Sequence, residues 1–505
     1  MAAFAQTDTS LLLRPERLGP QHILPRDFIL KTPHALSATR TLEEVDQLPF
    51  TVWTVTADDI LRFGFVTLGD VLRAAPGIRV SQPGNAVEGE MFLMRGLAGN
   101  QHVKVLINDV PITSNAAHGV TIGAQLPIRQ AERIEVVYGP DGVLYGGEAC
   151  AGVVNIILRE TERPVFMQAD LSFGSGGFNN LDLMFGGKMG RDRNIFRFSL
   201  YGSSTVRERW DVYGDQYRTH NPSQYHILDI RSQEYYENPN FEPLAPNVNN
   251  PKLAPIAHES RLFGGNFTWR GFHFTYQRMN RIDHSALGRN LMSVSWSNPG
   301  NRLSERWETL SIGHRNRKQS FLNTFSLSRY RVDNNSSNTY LFNNLFLAEY
   351  KTRFDSTQPE PQRKAIRDEI FNKYASGERY ASANALDLRL ESRVRAAFST
   401  RLYWDFGLQL SSSLGSGITA YYTAPVEERH FTDYVEAEPF NVPNLSAADL
   451  RGNLFTQWAW RGKKLRLLAG TSAYASLEQG QGHFPLRLAG GYRIDSSWAL
   501  YANYG

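Results

Sequence analysis

The glycine-rich corner at residues 132–158 constrains the fold of this chain more than any other segment. Ile134, Val136 and Val137 form an apolar run before it, and Val153–Leu158 form a second run after it. Five glycines and a proline lie between the two runs. Glycine adopts backbone angles that are closed to other residues, and proline fixes φ for a turn. The segment therefore predicts a strand, a compact irregular corner and a second strand.

This stretch resembles the end of the plug domain of TonB-dependent outer-membrane receptors. The family pattern is close to R-I-E-V-x-x-G-P-x-x-x-L-Y-G-x-x-A-x-G-G-V-V-N-I-I, and residues 133–157 fill almost every position. Tyr138 departs from the pattern, because the family usually has arginine there. The resemblance implies a small α/β plug domain inside an antiparallel transmembrane β-barrel of about 22 strands, in the bacterial outer membrane.

The short elements of such a plug follow one another in the expected order over residues 41–163. Phe50–Val55 alternates like a strand, and Ile78–Val80 predicts another. Thr56–Asp59 and Thr67–Asp70 each place a threonine three residues before an aspartate, which is the pattern of a helix capping box. We therefore assign residues 41–163 to the plug and expect two short capped helices within it.

Residues 164–505 predict a partial transmembrane β-barrel. Segments of about ten residues alternate apolar and polar side chains, as a tilted strand crossing a membrane does. Within 402–410, every even-numbered residue is leucine, tryptophan or phenylalanine. A soluble sandwich also alternates, but apolar faces this rich in aromatic residues are typical of lipid-facing girdles. We expect roughly a dozen strands, little more than half of the family's wall.

Turn lengths predict which end of each strand faces the periplasm. Outer-membrane barrels have short periplasmic turns and long extracellular loops. The predicted short turns are Gly174–Asn179 and Arg270–Phe272, and the predicted long loops are 208–259, 336–377 and 416–448.

Composition and motifs exclude several other classes of protein. No run of 18 or more apolar residues occurs, so the sequence predicts no membrane-spanning helix. The net charge of +4 is too small and too scattered to suggest a nucleic-acid partner. No nucleotide-binding loop or nucleophile motif occurs, and the 12 histidines lack metal-ligand spacing. We therefore expect no enzyme activity, no cofactor and no metal site, and we interpret Cys150 as a small residue in a tight corner.

Residues 1–40 predict a mobile arm, because they lack a clear period and carry four prolines. The resemblance implies that this arm carries a Ton box, a short segment that pairs with TonB by adding a strand. The segment His34–Arg40 resembles the V-T-A-T-R segment of the family but lacks its acidic start. Two other segments fit a Ton box, and their residues are Asp8, Thr9, Ser10, Leu11 and Leu12, and Asp27, Phe28, Ile29 and Leu30.

The resemblance also implies a lock between the plug and the wall. Arg95 and Arg133 match family arginines that pair with barrel carboxylates. Ordinary solvated charge is the alternative for both, although a cation shielded inside a barrel needs a partner.

Substrate would meet the plug, by the same resemblance, at the loops Gln82–Glu90, Ala98–His102 and Thr113–Ile122. The candidate side chains on these loops are Asn85, Glu88, Asn100, His102, Asn115 and His118. Inward arginines would favour an anionic substrate, although barrel lumens are generally polar and charged. These arginines are Arg389, Arg393, Arg395, Arg487 and Arg493.

The sequence therefore favours active import of a scarce, bulky nutrient. The resemblance makes a ferric siderophore the first hypothesis and cobalamin, haem or another metal chelate the alternative. A structural or adhesive outer-membrane protein without transport is a hypothesis of another class. The partners implied are TonB, a small metal chelate and outer-membrane lipid.

Overall fold

The computed structural model describes a plug and the wall that surrounds it. The described residues are 34–40, 43–45, 48–80, 90–114, 122–146, 149–191, 194–208, 210–211, 253–254, 258–284, 302–316, 320–340, 377–422, 449–477, 480–495 and 498–505, with short pieces between 349 and 369. Within these residues, no helix is both long enough and apolar enough to cross a bilayer.

The plug is a small α/β domain made of short strands and helices. The strands are β1 His34–Ala35, β2 Glu43–Glu44, β3 Val52–Thr56, β4 Ile78–Val80, β5 Phe92–Met94, β6 Leu97–Ala98, β7 Val103–Ile107, β8 Val110–Pro111, β9 Ala131–Tyr138 and β10 Gly152–Leu158. The helices are α1 Ala57–Arg62, α2 Leu68–Ala74 and α3 Gly142–Tyr145. The main sheet has the order β3-β9-β10-β7-β8, with β7 and β10 parallel and the other neighbours antiparallel. Helices α1 and α2 bury Ile60, Val71 and Leu72 in the core that this sheet forms.

Both predicted helix starts are confirmed. The Thr56 hydroxyl accepts a hydrogen bond from the Asp59 amide at 3.3 Å, and the Asp59 carboxylate accepts from the Thr56 amide at 2.9 Å. Thr67 and Asp70 make the same reciprocal pair at 3.1 and 2.9 Å. Each box satisfies two amides that the first turn of a helix leaves without a partner.

The predicted strand, corner and strand over 132–158 are also confirmed. Strands β9 and β10 pair antiparallel, and the corner between them contains the one-turn helix α3, whose side chains are buried. Gly139 and Gly146 have φ of 113° and 83°. A residue with a side chain would be strained at these backbone angles. A Cβ at Gly152 would collide with the carbonyl oxygen of Val137, so glycine is required there for the two strands to meet.

In the described residues, the wall is a 14-stranded antiparallel sheet, which confirms the predicted number of about a dozen strands. Its strands are β11 Phe166–Gly174, β12 Phe178–Met189, β13 Phe196–Arg207, β16 His258–Trp269, β17 Phe272–His284, β18 Arg302–Arg315, β19 Phe321–Tyr340, β20 Gly377–Ala397, β21 Leu402–Tyr422, β22 Asp449–Arg461, β23 Leu465–Ser476, β24 Gln481–His483, β25 Leu486–Arg493 and β26 Ala499–Tyr504. A separate two-residue pair joins β14 Trp210–Asp211 to β15 Leu253–Ala254.

The wall is apolar outside and polar inside. On β12, Leu183 and Phe185 are each 43% exposed, whereas Asn180 and Asp182, on the alternate face of the strand, point inward and are buried. Strand β21 repeats the pattern, because Phe406 is exposed and Asp405 is buried. A water-soluble protein would place these faces the other way round, so the wall is built to stand in lipid.

One predicted turn lies at the other end of the wall. The connection at 175–177 is adjacent to the end of β13, because the Glu208 amide donates to the Gly176 carbonyl at 3.0 Å. It therefore shares the end of the long connections after β13, β17, β19 and β21, which we call the long-loop end. Strand β11 starts at the opposite end of the wall, so its connection to β12 lies at the long-loop end. The prediction that Gly174–Asn179 is a periplasmic turn, at the end away from the long loops, is therefore wrong. The connection Arg270–Phe272 does lie at that opposite, short-turn end.

Candidate functional site

The segment His34–Arg40 is fastened into the plug by a buried polar network. The Glu135 side chain is fully buried, and one of its oxygens accepts from the Ser37 amide at 2.8 Å, the Ser37 hydroxyl at 2.6 Å and the Leu36 amide at 2.9 Å. Tyr145 donates its hydroxyl to the Ser37 carbonyl at 2.9 Å, and Asn155 donates to the Ser37 hydroxyl at 3.0 Å. The described residues 34–40 therefore pack as part of the plug, ahead of its predicted start at residue 41. Both Ton-box candidates, Asp8–Leu12 and Asp27–Leu30, lie outside the described residues.

Arg40 closes this segment and connects it to the wall. Its side chain is 4% exposed, and its guanidinium lies 3.3 Å from the Glu391 carboxylate on β20 and 4.0 Å above the ring of Tyr145. Its own carbonyl accepts from the Arg393 guanidinium at 2.7 Å. The backbone of Arg40 is left-handed, with φ of 57°. Arg40 is thus held by both the plug and the wall.

Two plug carboxylates pair with wall arginines near the short-turn end. Glu43 contacts Arg461 at 2.7 Å and Arg466 at 3.4 Å. Asp141 lies 2.9 Å from Arg487, and both side chains are buried. Burial raises the pKa of Asp141 to about 6, although the charges of Arg487 and Arg40 oppose the rise. Both pairs lie on the same side of the plug, since Arg461 and Arg487 lie on β22 and β25, which are separated only by β23.

Hydrogen bonds that are not ion pairs complete the contact between plug and wall on the side of β20. The Arg389 guanidinium donates to the carbonyls of Pro111, at 2.8 Å, and Thr113. The Ser114 hydroxyl donates to Asp387 at 2.7 Å. Across the lumen, Gln130 donates to Asp182 on β12 at 3.0 Å. The plug is therefore held to the wall around its circumference.

Among the described residues, the ion pairs between plug and wall differ from those that the sequence predicts. Arg133 pairs with Glu132 and Glu135 of its own strand, each at 2.8 Å, and no barrel carboxylate in the described part of the chain pairs with it. Arg95 makes no ion pair with any residue that the structure describes. Arg40 is the plug arginine that contacts a barrel carboxylate, and most of the other pairs have the reverse polarity, with the arginine on the wall. A sequence match to family arginines could not reveal this, because the partner is set by the wall.

The inward arginines have partners already. Arg389 and Arg393 bind the plug backbone, Arg487 pairs with Asp141, and Arg395 pairs with Asp405 at 2.6 Å. They hold the structure together, so their number alone does not argue for an anionic substrate.

A cavity between the plug and the wall carries net positive charge. Its volume is about 120 Å³, and it lies between β8 of the plug and wall strands β18–β23. Its cationic lining residues are Arg40, Lys104, Arg315, Arg389 and Arg451, and its carboxylates are Asp109 and Glu391. Arg40 therefore forms part of both the lock and the cavity.

The candidate substrate residues divide into two groups. Asn85, Glu88, Asn115 and His118 lie outside the described residues. Asn100 is 5% exposed and structural, because its amide donates to the Glu90 carbonyl at 2.9 Å and accepts from the Phe92 amide at 3.2 Å. His102 is half-buried, and its ring lies 3.3 Å from the Gln101 amide. The candidate Asn100 therefore has its side chain buried inside the plug.

Glu90 connects the three predicted substrate loops through its backbone hydrogen bonds. It ends the first loop, its carbonyl holds Asn100 of the second, and its amide donates to the Ile122 carbonyl at 3.1 Å, at the end of the third. Its carboxylate lies 3.2 Å from the Arg73 guanidinium. Burial raises the pKa of Glu90 to about 7, against the opposing charge of Arg73.

We expect Glu90 to make the plug less stable as pH rises. A carboxyl with a raised pKa holds its proton in the folded state, so its stabilising contribution is complete below the ordinary value of 4.5 and is lost as pH rises to about 7. The loss should reach about 3 kcal/mol, at 1.36 kcal/mol per pKa unit. Glu90→Gln should remove this part of the pH dependence. Hydrogen exchange of the plug amides from pH 5 to 8, corrected for intrinsic rates, measures it.

The exposed carboxyl of Asp58 provides the control. Asp58→Asn should leave the pH profile of exchange unchanged. If Glu90→Gln and Asp58→Asn gave the same profile as the unmodified chain, Glu90 would not be the titrating group.

The comparisons agree with this architecture. Residues 44–153 match the family model of the TonB-dependent receptor plug domain. Among solved structures, the chain resembles the ferric yersiniabactin uptake receptor FyuA from Yersinia pestis, with 12% identity and a TM-score of 0.56, over 90% of this chain and 64% of that one. It also resembles the ferripyoverdine receptor of the outer membrane of Pseudomonas aeruginosa, with 14% identity and a TM-score of 0.55, over 93% of this chain and 58% of that one.

A third similar structure is the ferric enterobactin receptor PfeA from Pseudomonas aeruginosa, with 15% identity and a TM-score of 0.59, over 90% of this chain and 62% of that one. Identities this low show a shared fold. The chain spans less than two thirds of the length of each of these three proteins.

Proposed function

We propose that this chain, a TonB-dependent outer-membrane receptor by its plug domain and its antiparallel wall, imports a ferric siderophore across the bacterial outer membrane. The observation that carries the proposal is the lock at Arg40. It joins the plug to the wall at the point where residues 1–33 connect to the plug. A force applied to those residues would reach the network of Ser37 and Glu135 first, and the Arg40–Glu391 pair next.

The cavity beside Arg40 supports an anionic cargo. Arg40 and Arg389 in its lining already bind Glu391 and the plug backbone, but the lining as a whole still has five cationic side chains against two carboxylates. That excess of positive charge favours a negatively charged group over a cation. Ferric chelates of acidic ligands are commonly anionic. The proteins with similar structures are receptors for ferric yersiniabactin, ferripyoverdine and ferric enterobactin, which is consistent with a cargo of this class. Cobalamin and haem are alternative cargoes for the same route.

The energy for accumulation would come from TonB, because the outer membrane has no ATP. TonB would pair with the arm by adding a strand, at Asp8–Leu12 or Asp27–Leu30. Pulling on the arm would draw residues 34–40 out of the plug, and the cavity would then open toward the short-turn end.

Uptake measurements in a strain whose own receptor gene is deleted test this function. Cells with the intact gene should take up one labelled ferric siderophore from a panel that includes cobalamin and haem. Deleting residues 6–33 should abolish energised uptake and leave binding at the cell surface intact, because it keeps the segment His34–Arg40 that packs in the plug. Cysteines placed at Leu11 and at Ile29, with Cys150 replaced by alanine, should crosslink to the TonB C-terminal domain at one site.

A cysteine at the exposed Thr400 is the crosslinking control, and it should not react with TonB. Uptake that survives the deletion would contradict the role of TonB. Absence of uptake for every compound would instead favour the structural or adhesive alternative. A missing crosslink at both sites would exclude both Ton-box candidates.

A further inference from the structure

The outer face of the wall carries a cluster of arginines at the long-loop end of β16–β19. Alternation along these strands turns Leu262, Trp307 and Tyr330 into the lumen, where they are buried. The neighbouring positions therefore face outward, toward the membrane. The outward cations, which we call the arginine patch, are Arg261, Arg278, Arg306, Arg329 and Arg331.

Hydrogen-bond register places the patch in two adjacent rows. The first row is Phe263, Arg278, Glu308 and Arg329. The second row, nearer the long-loop end, is Arg261, Asn280, Arg306 and Arg331. Because neighbouring strands stand about 5 Å apart across a sheet, the two rows together form one continuous polar surface, in which Glu308 and Asn280 separate some of the arginines.

Carboxylates neutralise only part of this patch. Arg261 pairs with Glu259 at 2.7 Å, and Arg278 lies 3.5 Å from Glu308. Arg306 donates to the Asn280 amide oxygen at 2.9 Å, and Arg329 approaches Asn384 at 3.4 Å. The side chains of Arg306, Arg329 and Arg331 have no carboxylate partner in the part of the chain that the structure describes. The patch therefore keeps a net positive charge.

An apolar belt begins immediately below the patch. The next row toward the short-turn end is Tyr276, Leu310, Leu327 and Leu388, and the row after it is Phe267, Phe274, Ile312, Phe325 and Leu390. Phe263 is 57% exposed and packs edge-on against Tyr276, with ring centroids 6.4 Å apart. Aromatic residues in this position mark the boundary between the hydrocarbon and the headgroups of a membrane. The arginines thus lie at the level of the outer headgroups.

The patch also contains a concave site. A cavity of about 700 Å³ opens among the patch residues Arg261, Arg306 and Arg331. Its other polar lining residues are Asn280, Asn384, Ser304, Glu259, which pairs with Arg261, and Glu305, which pairs with Arg281. Other strands have apolar residues at their outward positions near the long-loop end, such as Leu414, Leu450 and Leu477, which are 42%, 41% and 72% exposed. Within the described part of the wall, the basic surface is therefore concentrated on β16–β19.

We propose that the arginine patch binds the phosphate groups of a phosphorylated lipid of the outer leaflet. Guanidinium groups bind phosphate through paired hydrogen bonds, and they remain charged at any physiological pH. The acyl chains of the same lipid would lie on the belt of Tyr276, Leu310 and Leu327. This site is independent of the cargo and lies on the opposite side of the wall from the cavity beside Arg40.

Lipid binding to the purified chain in detergent micelles tests the proposal. The probes are lipid A, a glycolipid with two phosphates, and the same lipid after removal of its phosphates. The unmodified chain should bind the phosphorylated lipid more tightly. The double variant Arg306→Gln/Arg331→Gln should bind it roughly tenfold or more weakly, since each cation near a membrane surface contributes about 1 kcal/mol.

The matched control removes two cations from the short-turn end. Arg401→Gln/Lys463→Gln should change the affinity by less than about twofold, since both side chains are exposed and far from the patch. Equal binding of both lipids by the unmodified chain would overturn the proposal without any variant. Equal losses in the patch variant and the control variant would also overturn it.

Discussion

Replacing Glu135 with alanine is expected to lower the free energy of unfolding of the plug by about 3–5 kcal/mol. The Glu135 side chain is fully buried and accepts hydrogen bonds from two backbone amides, one hydroxyl and the Arg133 guanidinium, all at 2.6–2.9 Å. Without it, the amides of Leu36 and Ser37 lose their partner in a place that water does not reach. Leaving a buried donor unsatisfied costs more than an average hydrogen bond contributes.

Hydrogen exchange gives the measurement for this prediction. The amides of Leu36 and Ser37 should exchange far faster in Glu135→Ala, and peptides covering residues 34–40 should become accessible to protease. Glu132→Ala is the matched control, because Glu132 pairs with the same arginine but is 49% exposed. It should change stability by less than about 1 kcal/mol. Equal exchange in the two variants would show that Glu135 does not fasten the segment.

The features that the sequence predicts correctly are those with a local pattern. The capping boxes at Thr56–Asp59 and Thr67–Asp70 need only four residues each, and the glycine-rich corner needs 27. The alternation of the wall strands is also local, because each strand records which of its faces meets lipid. These patterns predict a plug, a wall and the point in the chain where the plug ends and the wall begins.

The features that the sequence does not predict are pairings between distant residues. Arg40 and Glu391 are 351 positions apart, and nothing near either residue specifies the other. The contact depends on how the plug is rotated inside the wall, which no local pattern records. The family resemblance therefore directs attention to Arg95 and Arg133, whereas the structure uses Arg40 together with Arg461 and Arg487 on the wall.

A weak signal for Arg40 was nevertheless present in the sequence. The segment His34–Arg40 resembles the V-T-A-T-R segment of the family and ends in the arginine that forms the lock. This signal is missed when the segment is interpreted as a mobile arm. A segment without a clear hydrophobic period is typical of a mobile arm, but it is equally typical of a chain that is buried in an extended conformation. Burial of Ala35, Ser37 and Ala38 by the plug gives the segment its order, and their small side chains are the only local trace of it.

Arg40→Ala is expected to loosen the plug inside the wall by about 3 kcal/mol or more, because it strands the Glu391 carboxylate in the lumen. Glu391 is 17% exposed, and the hydrogen-bond donor that would remain to it is the Gln409 amide of the wall, at 3.3 Å. The substitution also removes the cation above the Tyr145 ring and the anchor that follows the Ser37 network. Residues 34–40 should then be easier to extract toward the short-turn end.

A double-mutant cycle with Glu391→Gln separates the pair from the packing. If the Arg40–Glu391 pair carries the lock, the two substitutions together should cost less than the sum of each alone, with a coupling of about 1–3 kcal/mol. The measurement is hydrogen exchange of the plug amides at increasing denaturant, in the full chain. Arg95→Ala is the matched control, and it should leave the plug as stable as in the unmodified chain. If Arg95→Ala loosened the plug and Arg40→Ala did not, the lock predicted from the family pattern would be the correct one. Extraction of residues 34–40 would then open no route along the cavity beside Arg40.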